Sequence, residues 1–410
     1  MNQRSRHLWL LGLAALAVRG PLLLLSPGAA FDMESYARVA GIDAAGLYSA
    51  AETAGRYPYL PLWWLCLKAL AGLQAAFGGD FGVWARLPGV AGDVAISALA
   101  YLIVERRSRS HAAMLGGAQG LQGARLGLLA GLSWALNPLA VLVSTAHGQF
   151  DSVALALLLA AAWWLEYSSH RRSELFAGLC VAAAIAFKTW PLAFLPLYLG
   201  VFASRREMAR FAALALLPSA LLLLPFVALS GLDPVLARLS YSGATALGLS
   251  GALRASFFAV DAPVQLYRQV DDLWRVISLT LLGLGWLWTL WQARRLRLLD
   301  SLAWVALSLV LLAPGLSPQY LVWPAAFLLL LPGSVAWRYS AAALGLLAAF
   351  YALYMPPVHA GSAAWDPPAL GPALILLWAA INLACWAWGL GLWAKLQRQN
   401  LTPRRGSIFR

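Results

Sequence analysis

The chain is short of charge. Only 11% of its 410 residues are Asp, Glu, Lys or Arg, where a soluble domain carries about 25%. Acidic residues are the scarcer sign, 17 against 30 basic ones. No polar stretch is long enough to bury a core of its own, so no separate water-soluble domain is expected. The three cysteines, Cys66, Cys180 and Cys385, lie far apart in apolar runs. That argues against disulfides and against a zinc site, whose ligands must cluster. No internal repeat and no low-complexity tail is visible.

What is present is hydrophobic: 61% of the residues are apolar, in runs that recur to the end of the chain. The reading is an all-α polytopic membrane protein, one integral membrane domain over 1–410. About twelve spans can be drawn, at 8–25, 86–105, 125–146, 152–165, 175–187, 191–203, 211–229, 274–292, 301–313, 321–331, 339–355 and 371–394. Several are shorter than the roughly 20 residues that cross hydrocarbon. The pairs 175–187/191–203 and 301–313/321–331 flank Pro-containing turns, so they are expected to be buried in the bundle or partly crossing. The first run exceeds the apolar core of a signal peptide and reads as an uncleaved helix. The run 59–77 carries Lys68 near its middle, a costly place for a charge in a span. It reads as an interfacial or re-entrant helix.

A net charge of +13 raises nucleic acid as a partner. The basic residues instead sit in short runs between spans, as topology signals do, and nucleic acid is set aside. With 59–77 not crossing, the inner segments hold 20 of the 30 basic residues and 5 acidic ones. Both termini then read as cytoplasmic. The acids concentrate on the outer side, where the two largest non-spanning pieces lie: a first outer loop, 26–85, and a second, 230–273.

Four short motifs fall on that outer face. "FDMES" holds Asp32 and Glu34. "AHGQFDSV" holds His147, Gln149 and Asp151. "AFKTWP" holds Lys188, and "LSPQYLVWP" holds Gln319 and Tyr320. Each has a bland reading. The two acids could be a solvated loop start or a cap for a helix over 33–40. Lys188 could snorkel, and most of the 20 Trp belong to an aromatic belt. Arg86 and Asp93, seven apart, share a helix face and could pair structurally. Co-location favours chemistry. A carboxylate can take a proton from an acceptor hydroxyl. Cationic and hydrogen-bonding groups can hold a leaving phosphate.

The motifs resemble those of the GT-C superfamily of membrane glycosyltransferases, which use polyprenyl- or dolichyl-phosphate sugars. "FDMES" is similar to their D-x-D/E motif after the first span. "RYPYLPLWW" is similar to the "YPPL" stretch, and "RLPGVAGDV" to the second span, of the glucosyltransferases of N-glycan precursor assembly. "HGQFDSV" resembles their "HFQYNS", with Asp151 in place of Asn, and "AFKTWP" their "YKQ" region. "SPQYLVWP" resembles the "SQYFLWY" of a GPI mannosyltransferase. The resemblance covers much of the chain and lies in the order of the motifs.

It implies a GT-C-like fold and an inverting enzyme with Asp32 as base and Glu34 as second candidate. Lys188, with one of Arg38, Arg56, Arg86 or Arg254, would neutralise the donor phosphate. His147, Gln149, Gln319 and Tyr320 would orient donor or sugar; the role of Asp151 stays open. The implied partners are a polyprenyl-phosphate-sugar donor, a glycan, lipid or protein acceptor, and membrane lipids, in a prokaryotic cell membrane. Mannose is preferred to glucose, because the glucosyltransferases' late His motif is absent. No cofactor is required and no dedicated metal site is seen, although Asp32 and Glu34 could recruit a divalent ion weakly. A transporter or lipid flippase is the alternative, with Asp93 and Lys188 as pathway residues. A non-catalytic scaffold subunit is a third reading.

Overall fold

The computed structural model describes residues 2–114, 120–240, 247–260, 263–293, 297–331, 333–354 and 372–401. Among them every regular element is helical and there is no strand. Helix α1 (Gln3–Leu25) is followed by α2 (Ala30–Gly41), α3 (Pro61–Phe77), α4 (Phe81–Met114) and α5 (Gly120–Ala135). A break at Asn137–Pro138 and a π-helical segment, Leu142–His147, lead into α6 (Asp151–Glu166) and α7 (Ser173–Phe187). Next come α8 (Arg205–Ser230), α9 (Gly248–Ala259), α10 (Val264–Ala293), α11 (Leu298–Leu312), α12 (Val335–Ala349) and α13 (Pro372–Leu401).

Among the described residues, five helices are long and apolar enough to cross a membrane: α1, α4 over Phe81–Arg109, α8, α12 with its extension to Leu353, and α13 over Pro372–Leu396. The pair Gln122–Ala135 and Pro138–His147, bent by 40°, makes a sixth if taken as one span. The chain is thus a helical membrane protein. The short runs behave as their length dictates. Helices α7 and α11 have 15 residues each, about 22 Å at 1.5 Å per residue, against a hydrocarbon core of about 30 Å. Helix length alone therefore grants fewer spans than the twelve drawn from the sequence. The end of the span drawn at 339–355, the start of that at 371–394, and parts of the 230–273 loop lie outside the described residues.

Local sequence explains the element ends. The Asn2 side chain caps α1 by accepting from the Ser5 amide at 2.8 Å. Ser204 and Glu207 form a reciprocal capping box at the start of α8. Pro61 opens α3 and Gly78, at φ 78°, ends it. Helices α1 and α4 run antiparallel. Arg4 approaches Glu105 at 3.9 Å at one end, and Arg86 donates to the Leu23 carbonyl at 2.7 Å at the other.

The 26–85 segment packs a second apolar cluster against the bundle. Tyr36, Tyr48, Tyr57, Trp63 and Leu67 pack together, joined by Phe150 and Phe226. Trp63 stacks on Phe150 at 3.7 Å between centroids. Such pairs add about 0.5–1.5 kcal/mol each beyond burial. The polarity of the segment masked this core because its apolar content is concentrated in a few large rings. Helix α3 shows its two sides plainly: Trp63 and Leu67 are buried, while Leu65, Leu73 and Phe77 are exposed.

Candidate functional site

The polar turns gather at the end of the bundle marked by Arg86, away from Glu105. The connection after α1 is tied to the π-segment there. Ser26 Oγ donates to the Ala146 carbonyl at 3.1 Å, and the Ala29 amide donates to the His147 carbonyl at 2.8 Å. Helix α2 begins at once, at Ala30, with Asp32 in its first turn and Arg38 in its last, each matched to the helix dipole. This start fixes the fate of the two acids. Two positions along a helix are about 200° apart, so Asp32 and Glu34 face different ways.

Asp32 faces His147, whose Nε2 lies 2.9 Å from Asp32 Oδ2. On the other side of the ring, Nδ1 lies 2.5 Å from the Tyr351 hydroxyl. The donor–acceptor chain closes if Tyr351 O–H donates to Nδ1 and Nε2–H donates to Asp32. Asp32 keeps 19% of its side chain exposed and His147 only 7%; the carboxylate, rather than the ring, is the member a ligand can reach.

Glu34, the second candidate base, is a counter-ion to two guanidiniums. It hydrogen-bonds Arg38 one turn on and lies 3.3 Å from Arg56 Nη1. The Arg38 hydrogen bond first, and the Arg56 charge second, hold its carboxyl below the ordinary value. The partners of Glu34 are these guanidiniums, whereas Asp32 meets His147. Among the described residues no group of three His, Cys, Asp or Glu gathers. Arg56 also donates to Ser35 Oγ at 3.1 Å and covers the Phe31 ring at 4.7 Å. Two guanidiniums share one carboxylate, which leaves a positive rim on the Glu34 side of α2.

The second half of the cluster is built on the same turn. Gly148, at φ 95°, ends the π-segment; a side chain there would be strained. Gln149, Phe150 and Asp151 come next and all three are buried. Lys188, at the end of α7, reaches Asp151 Oδ2 at 2.6 Å and Gln149 Oε1 at 3.4 Å. Its ammonium sits over Phe150 at 4.2 Å and over Tyr59 at 5.0 Å, both cation–π contacts. Trp323 Nε1 donates to the other Asp151 oxygen at 2.8 Å. Tyr320 packs on Trp323 with ring centroids 4.2 Å apart, and half-buried Gln319 shares that turn, Pro318–Leu321, which packs against the π-segment. Lys188 is therefore an ion-paired, buried cation whose charge is met inside the protein.

Two of the expected phosphate ligands sit differently. Arg86 is fully buried. It donates to the carbonyls of Gly82 at 2.9 Å, Thr145 at 3.0 Å and Leu23 at 2.7 Å. It holds backbone, with each of its three nitrogens turned to a carbonyl. It does not pair with Asp93 either. That role falls to Arg19 of α1, at 2.9 Å, with both side chains fully buried. Arg254, on α9, has the Asp271 carboxylate of α10 as an electrostatic neighbour.

Sequence reasoning passes over three groups of this cluster. Trp323 reads as a belt aromatic within the "LSPQYLVWP" motif, and Tyr351 is not singled out. Tyr36 is the third. Its hydroxyl is buried with no hydrogen-bond partner among the described residues. Burial first, then the neighbouring Tyr59, Asp32 and Asp151 groups, push its phenol well above the ordinary range. It lies between the two carboxylates and stays protonated. Arg19 does carry a signal: a lone charge inside an apolar run is a functional marker by default.

The chain matches no protein-family model, and no curated protein matches it.

Proposed function

We propose that the chain is an inverting glycosyltransferase that moves a hexose, mannose in preference to glucose, from a polyprenyl-phosphate donor to a glycan, lipid or protein acceptor on the non-cytoplasmic face. The observation that carries this reading is the meeting of Asp32 and His147 at 2.9 Å, beside the Lys188–Asp151 pair and in a membrane-embedded frame. Asp32 takes the proton of the acceptor hydroxyl. The acceptor oxygen bonds to the sugar C1 while the bond from C1 to the phosphate oxygen breaks. The electron pair leaves with polyprenyl phosphate, whose extra negative charge falls to the Arg38–Arg56 rim. His147, braced by Tyr351, holds Asp32 in place. Tyr320 and Gln319, with the Tyr36 hydroxyl, supply contacts for sugar or acceptor, and buried Gln149 and Asp151 hold Lys188 in place. An apolar cavity bordered by Gly248, Leu316, Leu321, Tyr339, Asn382 and Trp386 lies behind the Gln319 turn.

Purified protein given synthetic polyprenyl-phosphate mannose or glucose is expected to transfer sugar, and Asp32→Asn to lose at least about 100-fold in kcat. Near-normal transfer by Asp32→Asn would remove Asp32 as the base. The buried Arg19–Asp93 and Lys188–Asp151 pairs favour a transporter as second reading. Counter-flow of a solute with no transfer from any lipid donor would decide for it.

A further inference from the structure

Asp93 is a fully buried acid that the proposed chemistry does not use. Its carboxylate gathers donors from four other elements. Arg19 Nε of α1 lies 2.9 Å from Oδ2, and Trp134 Nε1 of α5 lies 3.0 Å from Oδ1. Ser144 Oγ of the π-segment lies 2.5 Å from Oδ2 and 2.8 Å from the Ala140 carbonyl oxygen, which shares its one proton. Ser152 Oγ of α6 donates to Oδ1 at 2.6 Å. The last two matter most. Ser144 and Ser152 bracket the turn that carries His147, Gln149 and Asp151, so one carboxylate clamps both ends of it.

The helix face around Asp93 is shaped to the same turn. Arg86, Gly89 and Asp93 fall on one face by their spacing of three and four. Arg86 fixes the Thr145 carbonyl. A Cβ added at Gly89 would meet the Gln149 carbonyl oxygen at 2.7 Å, and one added at Gly92 would meet the Ser152 carbonyl carbon at 2.6 Å. The two glycines let the backbone of the turn lie flat against α4. An apolar core would hold these helices together as well as a buried ion pair does. Only a fixed acceptor can hold two hydroxyls, and the turn between them, in one register.

We propose that Asp93 is a positioning residue: through Ser144 and Ser152, it fixes where His147 and Asp151 stand. The role in transfer rests on the glycosyltransferase reading; the clamp itself does not. Ser144→Ala/Ser152→Ala cuts both links to the turn while leaving the Arg19 and Trp134 bonds to Asp93. Two measurements on the full-length protein in lipid nanodiscs test it. In hydrogen–deuterium exchange, peptides covering 142–152 are expected to exchange at least about tenfold faster in the double variant, with α1 and α4 unchanged. In transfer from polyprenyl-phosphate mannose, kcat is expected to fall about 10- to 100-fold, the scale of a 1 Å misplacement, with KM within about twofold. Ser97→Ala is the control, because that hydroxyl bonds only the Asp93 main-chain carbonyl; it should change neither reading. Unchanged exchange over 142–152 overturns the clamp. Faster exchange with unchanged kcat, in protein whose wild type is active, overturns the positioning role. A wild type inactive with every lipid donor, whose double variant still exchanges faster, overturns the proposed function and supports the clamp.

Discussion

At the scale of the residue, the site divides neighbouring polar groups into different duties. Asp32 and Glu34 are two positions apart, yet one meets an imidazole and the other two guanidiniums. Glu34→Gln is expected to keep kcat within about threefold and to lower KM for the donor, because the rim guanidiniums lose a competing anion. The sign of its pH effect comes from its depressed carboxyl. Its contribution to stability is present above its ordinary value of 4.5 and is lost as pH falls through the lower folded value. The difference in Tm between wild type and Glu34→Gln should therefore stay constant from about pH 8 to 5 and shrink only below 4.5. Tyr36 offers a sharper separation. Removing an unpartnered buried hydroxyl costs the fold nothing and relieves its desolvation. Tyr36→Phe should hold or raise Tm in a thermal melt while transfer falls about tenfold. An equal rate would mean that no substrate group meets that hydroxyl.

At the scale of the element, the π-segment and its glycine set the aim of the site. A Cβ at Gly148 would lie 2.5 Å from Met33 Cε and 3.1 Å from Arg86 Cγ, in a left-handed conformation. Gly148→Ala is expected to cost about 1–3 kcal/mol, read as a lower midpoint in thermal unfolding. The segment also holds an extra residue relative to an α-helical path. These relations explain which parts of the site are legible in the sequence. Asp32, His147 and Lys188 stand out because polar residues are rare in this chain, and rarity alone is enough to mark their turns. The helix drawn from 33 begins instead at Ala30, which sets Asp32 and Glu34 on opposed faces. Periodicity puts Arg86 on a face without naming the carbonyls it meets. Tyr351, 204 positions from His147, is one aromatic among many until the fold brings it in.

At the scale of the whole molecule, the apolar excess is explained by what faces outward. Leu24 and Leu25 of α1, and Leu217, Leu221 and Leu224 of α8, are exposed, whereas the Arg19–Asp93 and Lys188–Asp151 pairs are drawn inside. A spin label at Leu221 should be relaxed by lipid-dissolved oxygen, and one at Ser301, buried on α11, should be shielded from it. The same inside-out arrangement has an order in time. Every donor to Asp93 comes from residues before the end of α6, so the frame of the site is complete once Glu166 has been made and folded. Tyr351 and Trp323 come from much later in the chain. At about 5–20 residues per second of synthesis, the ribosome delivers Tyr351 roughly 10–40 s after the frame can close. A nascent chain therefore carries a built but unbraced site through that interval, and its last third acts as the part that commissions it.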